Sequence, residues 1–71
     1  MTVDQFYVLA REAMVLNPSW RYGQALFNVL LEVRPDLAEQ VRGTDKDPFY
    51  ARGGTGDPRL IRFGEFVNAN W

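Results

Sequence analysis

The chain contains no cysteine and no histidine, one serine (Ser19) and one lysine (Lys46). Without cysteine there is no disulfide framework, and without Cys or His there is no ligand set for zinc. A Ser–His or Cys–His nucleophile cannot be assembled, and a Ser–Lys pair would have to recruit Lys46 from a loop. Asp45 and Asp47 occupy the first and third places of a calcium loop, but Phe49, Tyr50 and Gly56 stand where an oxygen ligand, a glycine and a glutamate are required. These absences predict a non-enzymatic chain with no metal and no cofactor. Net charge is also missing: the formal value is −1. Broad attraction to nucleic acid or anionic lipid depends on clustered Lys and Arg, so neither partner is expected from charge alone. Near-neutrality offers little self-repulsion and leaves a homodimer open. No apolar run approaches the ~20 residues of a membrane span, and Asp4 stands where a secretory leader would be basic. The expectation is a cytoplasmic protein; the lack of cysteine fits a reducing compartment.

What is present is apolar and aromatic. With 71 residues, 46% hydrophobic and 14% aromatic, residues 1–71 form a single small domain whose stability must come from packing or from a partner. Thr2 and Gln5 have the spacing of a capping box, and Val3, Phe6, Tyr7, Leu9, Ala10, Ala13 and Met14 share one helical face. Asn17-Pro18 stops that helix, because the residue before proline is pushed out of the α region. Val8 and Val15 lie on its other side beside Asp4 and Arg11. A central helix is predicted from Ser19, as N-cap, to Val33, broken by Arg34-Pro35. Pro35 suits the first turn of a short third helix, with Leu37, Ala38 and Val41 buried and Arg42-Gly43 at its close. No segment alternates apolar and polar residues for long. The fold class is therefore all-α, a compact bundle of three to four short helices over about 3–16, 19–33, 35–42 and 58–70, with a Gly-rich loop at 43–56.

Within the loop, Asp47-Pro48 is set to start a single helical turn that folds Phe49 and Tyr50 back onto the core. The Gly53–Gly56 run reads as a hinge: a phosphate loop would need a preceding strand and a following lysine, and Asp57 follows instead. Asp57-Pro58 opens the last helix, where Leu60, Phe63, Gly64, Val67 and Trp71 share a face. Gly64 in mid-helix costs up to ~1 kcal/mol against alanine, which predicts a close helix approach there. Trp71 is either a core peg or an exposed anchor.

The central segment leaves Arg21, Gln24, Asn28 and Glu32 on one narrow stripe of an otherwise apolar helix. The stripe is either the solvent edge of a buried helix or a hydrogen-bonding row for another protein. Arg21 near the positive end and Glu32 near the negative end both sit against the helix dipole. Trp20 and Tyr22 flank its start, and Trp, Tyr and Arg are the types that concentrate interface energy. The candidate partner contacts are accordingly Arg21, Gln24 and Asn28, with Phe49, Tyr50 and Arg52 from the loop. An alternative is a nucleic-acid-associated protein using Arg52, Arg59 and Arg62 with Tyr50 or Trp71 as stacking groups. A third is a self-assembling structural component.

Two runs carry a resemblance. Trp20-Arg21-Tyr22-Gly23-Gln24-Ala25-Leu26-Phe27-Asn28-Val29-Leu30, of the form W-R-x-G-Q-x-x-F-N-x-L, and Gly43-Thr44-Asp45-Lys46-Asp47-Pro48-Phe49, of the form G-T-x-x-D-P-F, resemble very short bacteriophage-encoded proteins. Arg52–Gly56 departs from that pattern as an insertion before the last helix. The resemblance implies a phage origin and no catalytic residues. Small phage proteins commonly act as inhibitors or adaptors on host enzymes or defence systems, so the implied partner is a bacterial host protein.

Overall fold

The computed structural model describes residues 1–54 and 56–71. Four α-helices and one 3-10 turn follow in order: α1 Val3–Leu16, α2 Tyr22–Val33, α3 Pro35–Val41, the turn Pro48–Tyr50, and α4 Pro58–Asn70. No strand occurs among the described residues. The all-α expectation holds, and three of the four helices start where local chemistry places them.

α1 opens with the reciprocal capping box: the Gln5 N–H donates to Thr2 Oγ1 at 3.1 Å and the Thr2 N–H to Gln5 Oε1 at 2.8 Å. At its other end, Asn17 Nδ2 donates to the Ala13 carbonyl at 3.0 Å. Asp57 caps α4 by accepting from the Arg59 N–H at 2.8 Å, with Pro58 at the first helical position. α3 ends at Val41 and is followed, past its C-cap Arg42, by Gly43, whose φ of +73° is the left-handed conformation a C′ glycine supplies without strain.

The central helix starts later than the sequence suggests. Ser19 is not its N-cap. Asn17, Pro18, Ser19 and Trp20 close a β-turn, with the Trp20 N–H on the Asn17 carbonyl at 2.9 Å, so Ser19 is used up before the helix begins. Arg21 becomes the cap residue, and Gln24 Oε1 accepts its N–H at 2.8 Å, half of a capping box. Trp20 and Arg21 therefore lie outside α2 and off its stripe.

α2 packs against α1, the 3-10 turn and α3, while α4 closes on the turn and on α3. Phe6, Leu26, Leu30, Val41, Phe63 and Val67 are fully enclosed between them. The Phe6 ring lies 6.3 Å from that of Phe63 and 5.4 Å from that of Trp71, joining α1 to α4. Trp71 is thus a peg at the core margin: its indole N–H donates to the Met1 carbonyl at 2.8 Å, and the Arg34 guanidinium lies 5.2 Å from its ring. Arg34 also donates to the Trp71 carbonyl at 2.8 Å and grips Asp36 with two N–H groups, tying the α2–α3 junction to the end of α4.

The glycine expected to allow close approach is the wrong one. A Cβ on Gly64 would meet only the Tyr7 hydroxyl at 3.6 Å, ordinary contact distance. At Gly23, in the first turn of α2, a Cβ would run into the carbonyl oxygen of Pro48. This close approach seats the 3-10 turn on α2. The expected hinge at Gly53–Gly56 includes Thr55, which lies outside the described residues; in Gly53, the N–H donates to Asp57 Oδ2 at 3.0 Å.

Candidate functional site

The 43–52 loop is built around one buried carboxylate. Asp47 is 2% exposed, and both of its oxygens accept from the loop's own backbone: Gly43 N–H at 2.7 Å and Phe49 N–H at 3.0 Å. This holds the turn that Asp47-Pro48 predicts, in place of a calcium loop. It also leaves the carboxylate fully engaged in structure. Among the described residues, no group of three or more acidic side chains is placed to hold a metal ion, and no helix is long and apolar enough to cross a membrane.

Arginines staple the loop from outside. Arg21 Nη2 donates to the Phe49 carbonyl at 3.0 Å, Arg59 Nη1 to those of Thr44 at 2.7 Å and Asp47 at 3.3 Å, and Arg62 Nε to that of Asp45 at 2.9 Å. Arg62 further pairs with the Asp45 carboxylate at 3.6 Å. The basic patch of Arg52, Arg59 and Arg62 is therefore not three free cations: two of them are occupied with backbone carbonyls. Of these three, only Arg52 leaves its guanidinium without a hydrogen bond among the described residues, and it is exposed.

The turn that results carries a relay of rings from the core to the surface. Buried Phe27 meets Phe49 edge-on at 6.1 Å, and Phe49 meets Tyr50 at 5.6 Å. Arg42 lies 5.3 Å from the Phe27 centroid and Arg59 5.9 Å from that of Tyr50, both within cation–π range. Phe27, Arg42, Asp47, Phe49 and Tyr50 line a shallow groove of about 150 Å³. Phe49 folds onto the core as predicted, whereas Tyr50 does not: it stands 60% exposed at the outer end of the relay. The physical reason is the short 3-10 turn, which cannot direct two adjacent rings inward at once.

The six sequence-derived contacts separate. Arg21, Phe49 and Tyr50 come together at the turn, joined by the Arg21 bond to Phe49. Gln24 is committed to capping Arg21. Asn28 lines a different groove, of about 240 Å³, between α1 and α2, with Leu16, Trp20, Val29 and Glu32 among its walls. Arg42 and Phe27, which complete the turn's groove, were not legible as site residues. Arg42 belongs there through the fold, although it also pairs with Glu39 at 3.0 Å.

Two carboxylates have clear electrostatic settings. Asp57 is held below the usual carboxylate range by the N–H groups of Gly53 and then Arg59, and Asp36 by its hydrogen bonds from Arg34. Both settings are structural, one a helix cap and the other a helix junction. No protein-family model matches the chain, and no curated protein or solved structure matches it either.

Proposed function

We propose that this chain is a non-enzymatic protein-binding module whose contact surface is the 3-10 turn, centred on Tyr50 and flanked by Arg21, Arg42 and Arg52. The observation that carries the reading is the exposure of Tyr50 on a turn that is already rigid. Its backbone is held by Asp47, by the Ala51 N–H on the Pro48 carbonyl at 3.0 Å, and by the seat over Gly23. A tyrosine presented this way gives large contact area at low entropic cost, and its arginine neighbours are another of the residue types that dominate interface energetics. The occupied Arg59 and Arg62 favour a protein partner over nucleic acid. The two runs that resemble phage proteins support a phage origin and action as an inhibitor or adaptor on a bacterial host protein or defence system, in the host cytoplasm.

The test is quantitative capture from bacterial lysate with wild type, Tyr50→Ala, Arg52→Glu and Asn28→Ala. The first two variants should lose a specific partner by about 30-fold, the scale of an interface hot spot, and Asn28→Ala should retain it. Equal recovery by wild type and Tyr50→Ala removes the turn from the proposal. A gel shift at low salt that is abolished by Arg52→Glu would favour nucleic acid instead.

A further inference from the structure

α1 turns Phe6 and Ala10 into the core and leaves an apolar stripe facing away from it. Met1, Val8 and Val15 recur at intervals of seven and are 63%, 43% and 78% exposed. Met1, Asp4, Gln5, Val8 and Leu9 line an open groove of about 430 Å³ along the same helix. A seven-residue apolar repeat is the spacing that keeps a seam facing a second helix in a left-handed pair.

The charges on either side of the seam specify which helix. At about 100° per residue, Asp4 and Arg11 lie on one flank of the Val8–Val15 line, and Gln5 and Glu12 on the other, while Met1 precedes the helix. Asp4, Arg11 and Glu12 are exposed, and none of them enters an ion pair among the described residues. In a parallel pair of α1 helices each flank would face the opposite flank of its partner, setting Asp4 against Gln5 and Arg11 against Glu12. In an antiparallel pair with its two-fold axis at Val8, Val8 meets Val8 and Val15 comes to the end of the partner helix that Met1 precedes. On the first flank, Asp4 then meets Arg11 twice, and on the second, Gln5 meets Glu12 twice. Neither orientation brings like charges together; the antiparallel one sets Asp4 against Arg11 twice and opposes the two helix dipoles, whereas the parallel one aligns them.

We propose that this stripe is the seam of a homodimer in which two copies of α1 pack antiparallel about Val8. The occupant of the groove is a second copy of the chain, identified by the self-complementary order of Asp4, Val8 and Arg11. A helix of 14 residues is about 21 Å long and buries on the order of 400 Å² per copy, half of a standard interface, so the dimer is a weak one. The surface is separate from the Tyr50 turn, and the inference does not rest on that site.

Sedimentation velocity from about 10 μM to about 1 mM tests it on wild type, Asp4→Arg, Arg11→Asp and the double variant. Wild type should dimerise reversibly within that range. Each single reversal creates two like-charge contacts per dimer and should weaken it by about tenfold or more. An equimolar mixture of the two single variants restores both opposite-charge contacts, as does the double variant, and both should dimerise like wild type. Rescue by mixing cannot come from misfolded protein; circular dichroism should show unchanged helix content, and Tyr50→Ala should leave the dimer intact. Val8→Lys, which places two cations on the axis, should abolish it. A monomeric wild type at the top concentration overturns the proposal. So does a dimer indifferent to the single reversals, or a mixture that stays monomeric.

Discussion

Replacing Gly23 by alanine should destabilise the protein, although helix propensity alone predicts the opposite. In a helix, alanine gains up to ~1 kcal/mol over glycine, less in the first turn, where Gly23 lies. Against that gain, the added Cβ meets the Pro48 carbonyl oxygen. That oxygen is backbone and already accepts the Ala51 N–H, so it cannot rotate aside as a side chain would. Overpacking of this kind costs about 1–3 kcal/mol, and weakening the Pro48–Ala51 bond adds about 1 kcal/mol. The net loss is about 1–4 kcal/mol. At about 4–8 °C per kcal/mol for a domain of this size, a loss in the middle of that range, about 2–3 kcal/mol, lowers the melting temperature by about 8–24 °C. The internal control is Gly64→Ala, where the new methyl finds ordinary contact with the Tyr7 hydroxyl at 3.6 Å; it should raise stability by up to ~1 kcal/mol. Thermal and urea unfolding followed by far-ultraviolet circular dichroism measures both. Two substitutions of the same kind with opposite signs are expected. A Gly23→Ala protein as stable as wild type would refute the close approach between α2 and the turn.

Removing the buried loop carboxylate by Asp47→Ala strands the Gly43 and Phe49 N–H groups in a site that is 2% exposed. The cost should be about 2–4 kcal/mol, read as a lower urea midpoint, with Asp47→Asn intermediate because its amide keeps one accepting oxygen. Burial, with nearby Tyr22 adding to it, raises the Tyr7 phenol above the usual tyrosine range. A group whose folded value is raised contributes its stability in full below the unfolded value and loses it as pH rises through the folded one. The urea midpoint of wild type should therefore decline above about pH 10, and Tyr7→Phe should flatten that decline; identical pH profiles for the two proteins would exclude Tyr7 as its source.

Much of the fold was legible because capping is chemistry among neighbours. Thr2 and Gln5, Asp47 and Pro48, and Asp57 and Pro58 each satisfy the end of a helix or turn within three residues, and a sequence displays such short-range pairs directly. Ser19 shows the limit of that reading. Its residue type suits a cap, but the Asn17–Trp20 turn claims it first, and choosing between two local structures depends on how α1 and α2 must meet. The candidate site was legible only as residue types. Arg21 and Tyr50 were identifiable as residue types common at interfaces, yet the bond from Arg21 to Phe49 spans 28 positions and was invisible in either neighbourhood.

The sequence by itself determined that this chain is helical, where three of its helices begin, and most of the apolar residues that form the core, since periodicity and end-capping act over a turn or two. It also set out the self-complementary stripe on α1, because charges seven residues apart lie on one face of any helix. Tertiary structure alone decided which polar groups remain free. Arg59 and Arg62 are spent on carbonyls 12 to 17 residues away, and Arg34 on one 37 residues away, whereas Tyr50 is left outside. A guanidinium can satisfy backbone oxygens from any part of the chain, and only folding brings those oxygens within its reach.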